Sequence, residues 1–219
     1  MKLLSAMSVP AGAALTAGLW WLATLAVLAA MSSWVSAGGF GPFDRDGLIL
    51  AHAWRSPWLD AAFLGLTWIG SLTLLLPLVL GVGILLWRDG RPGEALFLAA
   101  ALGGAAVLVE LAKDLARRPR PDMYPALAPV ASPFSFPSGH AAQATAVAVA
   151  LLLVVLRCAP RQRRWAMGVS AALVTLVCAS RLYLQVHYPS DVLAGVVAAL
   201  GWVAGLHALP SARNSAPPT

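Results

Sequence analysis

Two histidines have neighbours that suit them for acid–base or nucleophilic chemistry. His187 is followed four residues later by Asp191, and His140 ends the sequence Pro-Ser-Gly-His at residues 137–140. A carboxylate at that spacing can bind one imidazole nitrogen, which leaves the other nitrogen unprotonated and facing outward. A histidine oriented in this way can attack phosphorus, and a second histidine can protonate the oxygen that leaves.

Three cations are spaced so that they could hold the anionic substrate of such a nucleophile. Lys113 and Arg120 form the pattern Lys-x6-Arg-Pro, and Arg181 belongs to the pattern Ser-Arg-x5-His-x3-Asp. Fixed cations, together with the free backbone amides at a helix N-terminus, match the equatorial oxygens of a phosphoryl group. Ser138 and Gly139 lie directly before an apolar run, where such amides are expected. These residues predict a phosphoryl-transfer site.

The composition predicts that membrane helices position these residues. Of the 219 residues, 59% are hydrophobic and 11% are charged, whereas a soluble domain carries roughly 25% charged residues. The mean hydropathy is +0.77. These values exclude a disordered chain, a disulfide scaffold and an ordinary soluble enzyme. The net charge is +6, but so few charges cannot form a nucleic-acid-binding face, and we expect no nucleic-acid partner.

Six stretches are long and apolar enough to cross a bilayer, which requires roughly 20 residues of helix. They are rich in Leu, Ala and Val and lack the short alternating pattern of a β-barrel. The predicted fold class is therefore all-α, a six-transmembrane-helix bundle forming a single domain over residues 1–219. The first stretch is longer than the apolar region of a signal peptide, so we expect a retained anchor. The predicted spans are Ala11 to Val35, Ala61 to Trp87, Ala95 to Leu115, Ala141 to Leu156, Trp165 to Leu184 and Val192 to Leu209.

Alternating crossings bring the three motifs to one membrane face. Each motif alone has an ordinary structural explanation, such as helix capping or complementing a helix dipole, but their coincidence favours a site. Eight of the fifteen Lys and Arg residues, including Lys2 and Arg213, lie on the other face with the termini. Three of the remaining seven are the phosphate-binding candidates. The positive-inside rule then predicts cytoplasmic termini and a site facing the periplasm or exterior of a bacterial inner membrane.

The three motifs, in this order, resemble those of the type 2 phosphatidic acid phosphatase (PAP2) family. They span residues 113–191 and show no departure at the defining positions. The resemblance implies that His187 is the nucleophile forming a phosphohistidine, that Asp191 orients it, and that His140 is the general acid and then the general base. It implies neither a metal nor another cofactor. The residues it implies for phosphate binding are Lys113, Arg120, Ser138, Gly139 and Arg181.

The membrane setting favours a lipid phosphatase that acts on a phosphomonoester or pyrophosphate whose chain stays in the bilayer. The candidate substrates are undecaprenyl pyrophosphate, phosphatidylglycerol phosphate and phosphatidic acid. A lipid phosphotransferase would use the same intermediate, with an acceptor hydroxyl in place of water. A transporter or non-catalytic lipid-binding protein is the alternative from a different class.

Several charged and aromatic residues near the motifs have simpler predicted roles. Glu110 lies three residues before Lys113 on one helical face, where it either pairs with that lysine or is an ordinary helix-end charge. Interface anchoring is the expected role of Arg117 and Arg118, with steering of an anionic headgroup toward the site as the alternative. Tyr183 and Tyr188 are expected to be interface belt residues.

The orientation predicts that alkaline phosphatase fused after Thr219 stays inactive in cells, because that reporter folds only outside the cytoplasm. Enzyme activity, normalised to the amount of fusion protein on an immunoblot, is the measurement. High activity of this fusion would reverse the assigned orientation.

Overall fold

The computed structural model of the protein describes residues 9–158 and 160–210, and this part of the chain is helical, with a single isolated β-bridge between Pro119 and Phe134. The predicted all-α class is confirmed. Lys2, Arg213 and Thr219, which enter the prediction of orientation, lie outside the described residues. The α-helices of the described residues are α1 Ala11–Ser36, α2 Gly41–Ala53, α3 Pro57–Leu66, α4 Leu72–Arg88, α5 Pro92–Ala116, α6 Gly139–Cys158, α7 Arg163–Tyr183 and α8 Pro189–Ala208.

Five of the described helices, α1, α5, α6, α7 and α8, are long and apolar enough to span a membrane. The second predicted span is wrong as a continuous helix. It is divided into α3 and α4 by the 3-10 turn Thr67–Gly70, and the two parts are bent by 45°. A sixth crossing exists only if this broken pair forms one span. The protein is thus a polytopic membrane protein with five such helices and one bent pair.

The break between α3 and α4 has a local cause that hydropathy does not register. Ser71 adopts an extended backbone with ψ 147°, and its side chain accepts a hydrogen bond from the amide of Leu74 at 3.3 Å. This is an N-cap, which begins a new helix. The residues on both sides of Ser71 are apolar, so hydropathy predicts one uninterrupted span.

The core lies where α5, α6 and α8 meet, and alanines supply most of its fully buried positions. Small side chains allow membrane helices to approach closely, because lipid supplies no hydrophobic force between them and close packing must do so instead. α1 packs on α8, α4 on α5 and α7 on α6. The fully buried members of this core are Leu98, Ala101, Val109, Ala142, Ala146, Ala150 and Ala199.

A close approach of α5 and α8 depends on glycine at residue 104. A Cβ atom there would overlap the indole of Trp202. Trp202 in turn donates from Nε1 to the carbonyl oxygen of Ala100 at 3.0 Å and stacks on Trp21 at 5.2 Å between ring centroids. The indole of Trp202 therefore joins α8 to both α5 and α1.

Gly104→Ala should be roughly 1–3 kcal/mol less stable than Gly103→Ala, because only the first methyl overpacks an occupied position. Gly103 is the matched control, since a Cβ atom there meets nothing within 4 Å and both substitutions gain the same helix propensity. Thermal or SDS-induced unfolding in detergent is the measurement. Equal stabilities would contradict the packing of Trp202 on Gly104.

Candidate active site

All eight predicted site residues lie where α5 and α7 end and α6 and α8 begin. Lys113 and Arg181 are in the last turns of α5 and α7, and Asp191 is in the first turn of α8. His140, in the first turn of α6, is within electrostatic range of four of the others: Lys113, Arg120, Arg181 and His187. The helix ends therefore gather the three motifs around one point.

A tight turn between α7 and α8 holds His187 in place. Gln185 adopts a left-handed backbone with φ 58°, and its buried side chain donates from Nε2 to the carbonyl oxygens of Leu48 and Leu182, both at 3.1 Å. Because Leu48 belongs to α2, these bonds fasten the turn to a helix distant in sequence. His187 follows two residues later and is 2% exposed.

The contacts of His187 assign its tautomer. Nε2 lies 3.3 Å from Nη1 of Arg120, and Nδ1 lies 3.5 Å from Oδ2 of Asp191. A guanidinium only donates, so Nε2 must be the unprotonated acceptor and the ring proton must lie on Nδ1. The distance to Asp191 is longer than a strong hydrogen bond, but the carboxylate still faces the protonated nitrogen.

Burial keeps the His187 imidazole neutral. Its enclosure lowers its pKa from 6.5 to about 4, and the positive charges of Arg181 and Arg120 act in the same direction. The carboxylate of Asp191 opposes them and raises the pKa, but it does not offset the burial. At neutral pH the ring therefore keeps a lone pair on Nε2, which is the form that can act as a nucleophile.

Asp191 is fully buried and has a partner for each oxygen. Oδ1 accepts from Nη1 of Arg118 at 2.5 Å, and Oδ2 accepts from the amide of Tyr188 at 2.9 Å. The predicted anchoring role of Arg118 is therefore wrong, since its guanidinium pairs with Asp191 inside the protein and stacks on the Tyr188 ring at 3.9 Å from its centroid. Tyr183 is not a belt residue, because it is 3% exposed and donates to Asp60.

Besides Nδ1 of His187, two polar atoms near the histidines are buried without a hydrogen-bond partner in the described structure. They are the hydroxyl oxygen Oγ of Ser138 and Nε of Arg181, whose Nη1 donates to Thr67. The amide of Ser138 is already used, because it donates to the carbonyl oxygen of Asp191 at 2.9 Å. Ser138 can therefore offer only its hydroxyl to a ligand. Since native proteins rarely leave buried donors unsatisfied, these two atoms indicate a place for an acceptor-rich group.

The remaining cations surround the same position. A Cβ atom on Gly139 would lie 3.7 Å from Nζ of Lys113, which also pairs with Glu110 at 2.7 Å. Arg120 comes from the loop between α5 and α6 and is held by backbone carbonyl oxygens, those of Ser132 at 2.8 Å and Val186 at 2.7 Å. Arg120 thus keeps its charge uncompensated by a direct carboxylate contact.

The described residues contain no group of three or more His, Cys, Asp or Glu side chains that could hold a metal ion.

Comparison with known proteins assigns the family. Residues 94–215 match the family model of the PAP2 superfamily, which is more than half of the chain. The chain belongs to the PAP2 superfamily. This confirms the resemblance noted from the motifs.

Two relatives and one solved structure show how far the similarity of this PAP2 protein extends. Phosphatidylglycerophosphatase B of Bacillus subtilis is 32% identical over 144 residues, or 64% of this chain and 70% of that protein. Decaprenylphosphoryl-5-phosphoribose phosphatase of Mycobacterium tuberculosis is 38% identical over 118 residues, or 52% of this chain and 59% of that protein. The crystal structure of a transmembrane PAP2-type phosphatidylglycerolphosphate phosphatase from Bacillus subtilis superposes with a TM-score of 0.75 at 25% identity, covering 86% of this chain and 93% of that one.

Three residues of the candidate site were not predicted from the sequence. Thr67 accepts a hydrogen bond from Arg181, and Gly70 approaches His140 so closely that a Cβ atom would lie 3.1 Å from its carbonyl oxygen. Both belong to the unpredicted break between α3 and α4. Asp44 on α2 binds Arg118 at 2.7 Å. No local pattern marks these positions, because their partners are distant in sequence.

The depressed pKa of His187 predicts a pH-dependent stability. Unfolded His187 takes up a proton near pH 6.5, whereas the folded ring does so only near pH 4. The free energy of unfolding should thus be unaffected above pH 6.5 and fall as the pH drops toward 4, by roughly 2 kcal/mol at pH 5. His187→Gln should lack this component, so unfolding of both proteins at pH 7.5 and 5 is the measurement. Parallel pH dependences would show that His187 titrates normally.

Proposed function

We propose that this protein is an integral membrane lipid phosphatase that hydrolyses a lipid phosphomonoester or pyrophosphate through a phosphohistidine intermediate. The observation that carries the proposal is the pair of buried, unpartnered donors, Ser138 Oγ and Arg181 Nε, beside a neutral His187. A phosphoryl group supplies the acceptor oxygens these donors lack, and His187 supplies the nucleophile.

In the first step Nε2 of His187 attacks phosphorus as the bond from phosphorus to the leaving oxygen breaks. Arg120 exchanges its contact with Nε2 for one with a phosphate oxygen, which frees the lone pair for attack. Lys113 and Arg181 bind the remaining equatorial oxygens, where negative charge is concentrated in the transition state. His140 gives its proton to the leaving oxygen, so the lipid departs as an alcohol or a monophosphate.

In the second step water hydrolyses the phosphohistidine. His140, deprotonated by the first step, takes a proton from the water as the oxygen attacks phosphorus. The bond between phosphorus and Nε2 breaks, and its electron pair returns to His187. Inorganic phosphate leaves, and both histidines regain their starting protonation states. Asp191 faces Nδ1 throughout and stabilises the positive charge that the ring carries while it is phosphorylated.

The position of the site suits a lipid substrate. Its residues come from the ends of membrane-spanning helices and the adjoining loops, so a phosphate can bind there while an acyl or prenyl chain remains in the bilayer. The two relatives are named as phosphatases of a phosphatidylglycerol phosphate and of a decaprenyl phosphate derivative. We therefore retain three substrate candidates: undecaprenyl pyrophosphate, phosphatidylglycerol phosphate and phosphatidic acid.

The proposed topology counts α3 and α4 as one broken span, which makes six crossings. With six crossings, the end of α5, the start of α6 and the junction of α7 and α8 share a face. Once the three phosphate-binding candidates are set aside, the excess of Lys and Arg on the opposite face supports a site on the periplasmic or exterior side of a bacterial inner membrane. An undecaprenyl pyrophosphate released on that side would meet the site directly.

Purified protein should release inorganic phosphate from at least one of the three lipids in the presence of EDTA, because protein side chains supply all the proposed chemistry. His187→Gln should lower the rate by more than about 10³-fold, since it removes the nucleophile. His52→Gln is the matched control, because His52 lies on α2 and stacks on Tyr124 at 3.7 Å, outside the proposed chemistry. Phosphate release is measured across the lipid panel.

The same assay separates the competing functions. Transfer of labelled phosphate to a second lipid, with little release into water, would identify a phosphotransferase. Full activity of His187→Gln, or no turnover of any lipid by the wild-type protein, would overturn the proposed phosphatase.

A further inference from the structure

A cluster of buried charged residues lies behind His187, and Asp191 is its one member at a defining position of a motif. Arg118 binds two carboxylates at once, with Nη1 2.5 Å from Oδ1 of Asp191 and Nη2 2.7 Å from Oδ2 of Asp44. The same Nη1 is 2.7 Å from Oγ of Ser190. The cluster joins α2, the loop after α5 and the first turn of α8.

Asp44 anchors the far end of this cluster. It is 2% exposed, and it accepts from the amide of Ser190 at 2.8 Å and from the Ser190 hydroxyl at 2.7 Å. α2 buries only one other residue, Leu48. Asp44 thus fastens α2 to the residue directly before Asp191.

The orientation of Arg118 is fixed on several sides. Its guanidinium lies over the ring of Tyr188, with the central carbon 3.9 Å from the ring centroid. Burial alone would lower the pKa of Arg118, but the carboxylates of Asp191 and Asp44 raise it above its ordinary value. Lysine could not replace it fully, because an ammonium group cannot span two carboxylates with planar, fixed donors.

The contacts of Asp191 show what this cluster controls. Arg118 occupies Oδ1, and the amide of Tyr188 occupies one side of Oδ2, so the open side of Oδ2 faces Nδ1 of His187. Without Arg118, Oδ1 of Asp191 would lose its partner. The buried carboxylates of Asp191 and Asp44 would then lie on either side of Ser190 with no cation between them. Such an arrangement favours proton uptake or rotation of the side chain.

We propose that Arg118 and Asp44 are positioning residues that keep the Asp191 carboxylate ionised and directed at His187, so that α2 supports the nucleophile. This inference rests on the proposed phosphatase function. It assigns Arg118, which adjoins the Lys-x6-Arg-Pro cations, to the histidine rather than to phosphate binding.

The test compares Arg118→Gln and Asp44→Asn with Arg117→Gln in the full-length protein. Arg117 is the matched control, because it is the neighbouring arginine, is exposed, and donates only to the carbonyl oxygen of Asp114 among the contacts of the described structure. For the first two variants we expect kcat to fall about 10–100-fold, the range found for outer-shell partners that orient metal-bound histidines, with KM changing less than about 3-fold. Arg117→Gln should behave like the wild type.

The pH profile separates positioning from general damage. Without the Arg118 cation, the Asp191 carboxylate should take up a proton at a higher pH and so stop supporting His187 as an anion. The acidic limb of kcat/KM should therefore move to higher pH in Arg118→Gln. Arg118→Lys should recover part of kcat, because it retains the charge but can reach only one carboxylate. An increase in KM with an unchanged pH profile would overturn the proposal and indicate phosphate binding instead.

The Asp44→Asn variant and a stability measurement provide two further tests. Asp44→Asn retains the shape of the side chain, so a folded variant with wild-type kcat and pH profile would overturn the role of Asp44. If the wild-type protein turns over no lipid phosphate, the proposed function fails, but the positioning role is still measurable. In that case the fall in stability between pH 7.5 and 5 should be smaller in Arg118→Gln than in the wild type, and equal falls would overturn the inference.

Discussion

The structure is organised around the buried Asp191, through both its side chain and its backbone. A carboxylate without water contact costs several kcal/mol unless its oxygens are paired, and here they face Arg118, the amide of Tyr188 and His187. The carbonyl oxygen of the same residue accepts from the amide of Ser138, which begins the α6 motif. One residue thereby sets the positions of the proposed nucleophile and of the helix start that faces it.

The arginines near this residue fall into two groups with different partners. Arg118 is neutralised by two carboxylates, which suits a structural role. Arg120 is instead held by backbone carbonyl oxygens, and Arg181 donates to a hydroxyl group. Burying a cation without a carboxylate is unfavourable, so a protein retains such an arrangement where an anionic ligand completes it. The pairing of each arginine distinguishes the scaffold from the proposed phosphate site.

The helix core explains how this polar site is accommodated at the end of an apolar bundle. Small residues allow α5, α6 and α8 to pack closely along their length. At the site the regular packing stops, because the break between α3 and α4 brings Thr67 to Arg181 and Gly70 to His140. Irregular backbone at membrane depth is tolerated where protein surrounds it. The broken pair is thus part of the wall of the site.

The sequence by itself determined the features that depend on residues close together in the chain. Hydropathy identified the helical class and the positions of five spanning helices, and three motifs identified His140, His187 and the cations as one candidate site. Tertiary structure alone decided the break after α3, the burial of Tyr183, and the role of Arg118, whose partner Asp44 lies 74 residues away. The physical reason is that a cap or an ion pair depends on a few atoms brought together by folding, whereas hydropathy and motif spacing depend on residues adjacent in the chain.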